Sequence, residues 1–171
     1  MMDFVPLAIL SLLLVLATVF DLRQRRIPNA VTMPVMASAM IYFIYLNGLT
    51  GLMHSAGGLF LGLALLMPFY VIGGMGAGDV KLMGAIGSIL GLQGVFIAFL
   101  CSAVAGGAYA LFILCRNSAI SQTAGRYGMM LRGYLATGQL TYIPPEPGKL
   151  PPLCYGLAIS LGTILSVLRP L

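Results

Sequence analysis

The stretch Gly73-Gly74-Met75-Gly76-Ala77-Gly78-Asp79-Val80-Lys81 sets a carboxylate and an ammonium beside a glycine-rich turn, between two long apolar runs. An ionisable residue in a hydrocarbon layer costs about 2.5 to 3.5 kcal/mol on insertion scales, so one retained at its edge is a functional candidate. The glycines admit positive φ and the close approach of a second backbone, whether a neighbouring helix or an extended peptide. A nucleotide loop is excluded. The Walker pattern needs Gly-Lys-Ser/Thr, and a dinucleotide fingerprint needs glycine where Asp79 or Lys81 stands.

Working outward, the 171 residues are 60 % hydrophobic and only 8 % charged, whereas soluble domains carry about 25 % charged residues. An all-α, polytopic integral membrane protein is expected. The net charge of +5 comes from nine basic residues scattered between apolar runs without aromatic interleaving. They read as a topology signal and not as a nucleic-acid surface. Cys101, Cys115 and Cys154 form no C-x-x-C pair, so neither a zinc site nor a disulfide framework is indicated, and no metal or cofactor is expected.

The apolar lengths predict about six spans. The first runs from Phe4 to Phe20, followed by a turn at Leu22 to Asn29 in which Pro28 or Asn29 starts the next helix. The second ends near Leu46, before a turn at Asn47 to Gly51. The third covers about Leu52 to Ile72, with Pro68 loosening its last turn. The fourth, Val80 to about Leu92, is short, and Gly84, Gly87, Ser88 and Gly91 give it faces suited to deep packing. After Gln93-Gly94 a fifth runs to about Leu114, and a sixth covers about Leu153 to Leu168. Between these last two lies the polar segment Arg116 to Pro151, with an amphipathic interfacial helix at Arg126 to Leu135 and a stiff exit at Pro144 to Pro152.

With the N-terminus outside, the turn at 22–29, the glycine loop and the segment 116–151 share one side, which collects eight of the nine basic residues. That side is cytoplasmic by the positive-inside bias. The basic residues follow the first apolar run and do not precede it, which argues against a cleaved signal peptide.

Of the four acids, Asp3 and Glu146 read as solvated charges, and His54 falls on the face opposite the glycine loop. Asp21 and Asp79 each end a span at similar depth on the cytoplasmic side. Asp79 alone has an ordinary reading as a helix N-cap. Asp21 alone has one as a salt-bridge partner of Arg25 or Arg26. Together they suit a shared site, because two adjacent carboxylates hold one proton between them: one activates water while the other donates to a scissile carbonyl.

The residues Gly76-Ala77-Gly78-Asp79-Val80-Lys81-Leu82 resemble the G-x-G-D-x-K-L signature of the prepilin peptidases, a type IV leader peptidase group of membrane aspartic proteases. Asp21 with Arg26-Ile27-Pro28-Asn29 and Thr32 resembles the segment around the first catalytic aspartate of that family. The resemblance covers nearly the whole chain. It extends to Pro152-Leu153-Cys154-Tyr155-Gly156 with Ala158-Ile159, similar to a Pro-Tyr-Gly-x-Ala-Ile stretch, to which no catalytic role is assigned.

The resemblance implies a single membrane-embedded peptidase domain over 1–171, in the bacterial cytoplasmic membrane, with Asp21 and Asp79 catalytic. Gly76, Gly78 and Lys81 would support the site. Lys81 otherwise reads as an interfacial anchor, as do Arg23, Arg25 and Arg26. The chain lacks the paired C-x-x-C region of bifunctional members, so it resembles the short CpaA/TadV type that serves Flp/Tad pili, without methyltransferase activity. The implied partners are prepilin or pseudopilin substrates, the lipid bilayer and pilus assembly machinery, with no nucleic acid. Preflagellin peptidases of archaea are a near alternative, and a proton-coupled carrier using the two acids as a relay is a more distant one.

The topology makes an expected outcome for cysteine labelling in a cysteine-free background: positions 24 and 122 label only from the cytoplasm and position 49 only from outside. Labelling of 24 and 122 from opposite sides would contradict the six-span arrangement.

Overall fold

The computed structural model describes residues 4–24, 26–116, 120–138 and 155–168. Among them every regular element is a helix: α1 (Phe4–Gln24), α2 (Asn29–Val71), α3 (Ala77–Arg116), α4 (Ile120–Thr137) and α5 (Tyr155–Leu168). Three helical stretches, Phe4–Gln24, Asn29–Val71 and Ala77–Ile113, are long and apolar enough to cross a membrane, while α5 is apolar but shorter. The all-α, membrane-protein character expected from composition is met at this level. The first helix continues through the expected turn to Gln24, so Asp21 lies inside its last turn.

A straight helix of 43 residues, the length of α2, would extend about 65 Å, roughly twice a bilayer's hydrocarbon core. It does not run straight. Gly48 takes φ 56° and ψ −130°, a backbone state closed to side-chain-bearing residues. The chain folds back there, since a Cβ at Gly51 would overlap the Phe43 carbonyl. Eight residues along a straight helix would hold those positions about 12 Å apart. The rings of Phe43 and His54, on opposite sides of the bend, lie 4.9 Å apart between centroids. This break falls within the expected turn at 47–51.

The break in α3 is at Gly91, with φ 71° and ψ −173°, and not at Gln93-Gly94 as expected. The reason lies across the bend. The His54 ring sits where a Gly91 side chain would go, so only glycine serves at this position. His54 is thus a packing residue of that bend, exposed on one side.

Between the two breaks the arms 49–71 and 77–90 pair antiparallel, with glycine facing glycine. A Cβ on Gly58 would overlap the Gly87 carbonyl, one on Gly87 would overlap that of Gly58, and Gly62 closes on Met83 and Gly84. The first arm of α3 is accordingly the core of the bundle. Leu82, Met83, Ala85 and Ile86 are fully buried, with Val80 and Ile89 nearly so, as its small-residue faces lead one to expect.

Helix α5 closes the bundle. Thr18 Oγ1 donates to Ser160 Oγ at 3.0 Å, Gly162 packs on the Ser102 backbone, and Gly106 faces Ala158. The second arm of α3 therefore returns toward the end from which the first set out. One end of this unit gathers the C-terminus of α1 and the N-termini of α2, α3 and α5, and the breaks at Gly48 and Gly91 occupy the other.

By its internal contacts the chain divides into two compact units, residues 1–106 with 154–171, and residues 107–153. In the second unit α4 is longer than the helix expected at Arg126 to Leu135, beginning at Ile120 and ending at Thr137. Met129, Tyr134 and Leu135 are exposed on it. The predicted proline-rich exit, with Glu146 and Lys149, lies outside the described residues.

The glycine seam makes a prediction about stability. Gly87→Ala should destabilise the protein by about 1 to 3 kcal/mol, the usual cost of overpacking, because backbone and not a movable side chain stands opposite. Thermal unfolding in detergent measures it, and wild-type stability would show that the seam is loose.

Candidate active site

The glycine stretch builds the site in two steps, first by stopping α2 and then by starting α3. Gly74 N–H donates to the Phe69 carbonyl and Gly73 N–H to that of Tyr70, each at 2.9 Å, while Gly73 adopts φ 82°. This paired arrangement with a left-handed residue is the Schellman stop, and it satisfies carbonyls that the helix end would leave bare. Pro68 lies three residues before Val71, and its carbonyl accepts from Ile72 N–H at 3.1 Å.

Helix α3 then begins at Ala77, not Val80, which changes the part Asp79 plays. It is the third helical residue and not the N-cap. Its N–H donates to the Gly76 carbonyl at 3.1 Å, and its Oδ2 accepts from Gly76 N–H at 3.2 Å. This is the return arm of a capping box, in which a side chain one turn inside the helix satisfies the amide at the cap. The carboxylate is held against the loop by its own backbone and is 8 % exposed.

Asp21 is held differently. It is 7 % exposed, and its Oδ2 has no hydrogen-bond partner among the described residues. No ion pair joins it to Arg26 there, and Arg25 lies outside the described residues. A buried carboxylate oxygen without a donor is costly. Such groups in native proteins call for an explanation, and a functional role is one.

The ends of α2 and α3 interlock around these acids. Gly78 abuts Ile27, where an added Cβ would stand 3.1 Å from the Ile27 Cβ and 3.2 Å from its amide nitrogen. Lys81 Nζ donates to Asn29 Oδ1 at 2.8 Å, so Asn29 ties α3 to α2 and is not a helix cap. Pro28 precedes α2 in an extended conformation, with no side-chain cap.

All five residues singled out by sequence, Asp21, Asp79, Gly76, Gly78 and Lys81, line one cavity of about 360 Å³, with Arg26, Ile27, Asn29 and Ala77. Its size is in the range of small-ligand pockets. The two carboxylates are near enough for their charges to interact, and Arg26 and Lys81 bring positive charge to the same walls. Among the described residues no cluster of histidine, cysteine and acidic side chains could hold a metal ion.

Sequence reasoning missed one neighbour. A Cβ at Gly156, in the first turn of α5, would stand 2.8 Å from Asp21 Oδ2 and 3.0 Å from its Cγ. The only sequence signal was the partial Pro-Tyr-Gly match, which does not say what the glycine faces. Arg26 and Asn29, read as an anchor and a helix start, also turn out to border the cavity.

A helical membrane protein with two buried aspartates in one cavity at a convergence of helix ends is the class that fold and site define. Residues 8–111 match the type IV leader peptidase family, and the chain belongs to that family. It is similar to the prepilin leader peptidase/N-methyltransferase of Bacillus subtilis (strain 168), with 32 % identity over 111 residues. That similarity covers 63 % of this chain and 44 % of the relative, so the chain spans less than half the length of the curated protein it matches. No solved structure matches. The family match contains every residue of the cavity and ends before α4 and α5.

Proposed function

We propose that this protein is a membrane aspartyl endopeptidase that removes the short basic leader of type IV prepilins, of the Flp/Tad kind, at the cytoplasmic face. The observation that carries this reading is that Asp21 and Asp79, from helices far apart in sequence, are buried on the walls of one cavity. Family membership supports the peptide-bond chemistry.

In this mechanism the pair shares one proton. The ionised carboxylate removes a proton from a water molecule, whose oxygen attacks the scissile carbonyl carbon, while the protonated partner donates a hydrogen bond to the carbonyl oxygen. A tetrahedral intermediate forms. As it collapses the C–N bond breaks, and the carboxyl that gained the water's proton passes a proton to the leaving amine. The Gly76 amide on Asp79 Oδ2 holds one acid in place, and Asp21 is the acid without such a tether on Oδ2.

Gly76 and Gly78 let the first turn of α3 close on the Asp79 carboxylate and on Ile27, which sets Asp79 on the cavity wall. Lys81, fixed by Asn29, places a cation at the mouth. The breaks at Gly48 and Gly91 support six antiparallel spans, with both acids on the side rich in basic residues. The acids stand at helix ends, where a leader that stays in the cytoplasm reaches them, and not at mid-span where a proton relay would place them.

Asp21→Asn and Asp79→Asn, purified and reconstituted with a Flp-type prepilin bearing its leader, should each cut cleavage by at least about 100-fold, since neither amide passes a proton. Wild-type accumulation is expected for both. Full cleavage by either variant would remove that residue from the mechanism.

Gly78→Val should approach an aspartate variant in severity, because its branched side chain meets Ile27 and pushes the first turn of α3, with Asp79, out of place. Gly78→Ala should fall between. Wild-type turnover by the valine variant in the same assay would make the glycine incidental.

A further inference from the structure

We infer that Gly156 is a positioning residue for Asp21, and that the start of α5 forms the back wall against which this carboxylate is set; the inference rests on the catalytic reading of Asp21. Asp79 is held by a hydrogen bond from Gly76. Asp21 has no such tether on Oδ2, yet it is as deeply buried as Asp79. What confines it is steric. Gly156 leaves a gap that the carboxylate fills, with the hypothetical Cβ 2.8 Å from Oδ2, 3.0 Å from Cγ and 3.1 Å from the Asp21 Cβ. Contacts that short with three successive atoms of one side chain cannot be relieved by turning its tip alone. The carboxyl group and its Cβ would have to give way together.

The seam around this contact is fixed in register. One turn before Asp21 on α1 and one turn after Gly156 on α5, Thr18 Oγ1 donates to Ser160 Oγ at 3.0 Å, and Ser160 in turn donates to the Gly156 carbonyl at 2.8 Å. The chain from Thr18 through Ser160 thus ends on the residue that touches Asp21. Without a side chain at position 156, α5 comes close enough to α1 to set the angle of the carboxylate. Such confinement orients the acid by contact alone, without a hydrogen bond on Oδ2. Misplacement of a reacting group by about 1 Å can cost on the order of 100-fold in rate.

The test compares kcat and KM for the same prepilin across four variants of the full-length protein in proteoliposomes. Gly156→Ala should lower kcat about 10- to 100-fold with KM within about twofold. Ser160→Ala, which loosens the register without adding bulk, should lower kcat severalfold with KM likewise unchanged. Gly162→Ala, on the same helix but facing Ser102, should reduce thermal stability and leave kcat of the folded fraction near wild type. Asp21→Asn should be inactive.

Wild-type kcat in Gly156→Ala with an inactive Asp21→Asn would overturn the inference and leave the catalytic reading standing. Full activity in Asp21→Asn would overturn both. If Gly156→Ala does not accumulate, Ser160→Ala decides: a kcat at the wild-type value overturns the inference. Equal losses of kcat in the Gly156 and Gly162 variants would reduce the contact to general packing and overturn it as well.

Discussion

Two like carboxylates buried on the walls of one cavity are the constraint around which this structure is arranged. Neither has a cationic partner close enough for an ion pair among the described residues, and burying such groups opposes folding. The surrounding scaffold has to outweigh that cost. It does so with contacts that are hard to deform: glycine backbones in direct apposition along the seam between the arms 49–71 and 77–90, and a first α3 arm whose side chains are almost wholly inside. A lipid-facing helix could tilt to relieve the acids. This arm, enclosed on its glycine faces, has less freedom to do so, and Asp79 is carried on its first turn.

The same glycines divide the work. Gly73 ends one helix, Gly76 receives the side chain that begins the next, and Gly78 lets that helix seat on Ile27. Gly48 and Gly91 reverse the chain at the far end. These positions act through backbone freedom or close approach. Their chemistry is indirect: they bring helix ends together so that acids 58 positions apart in the sequence share one cavity.

Much of this was legible in the sequence, for identifiable reasons. Apolar run length and the sparse charges point to a helical membrane protein, and the Asn47 to Gly51 turn is marked by adjacent turn formers. Asp21 and Asp79 could be paired because a chain with four acids leaves few combinations, while Gly76, Gly78 and Lys81 came with the motif that resembles the family's signature. What could not be read depends on contacts between distant segments. Glycine at 87, 91 and 94 looks alike until His54 is seen to cover Gly91. Asp79 looks like an N-cap until Gly76 is found to take that place, which shifts the start of α3 by three residues. Gly156 lies 135 positions from Asp21, and no local pattern announces their contact.

The central claim is that Asp21 and Asp79 act on one water. An experimental structure of the protein in lipid nanodiscs, at a resolution that shows ordered solvent, tests it most directly. The account predicts a single water within about 3 Å of an oxygen of each carboxylate, in a cavity open toward Arg26 and Lys81. Two carboxylates too far apart to share a water, or separated by a side chain, would contradict it.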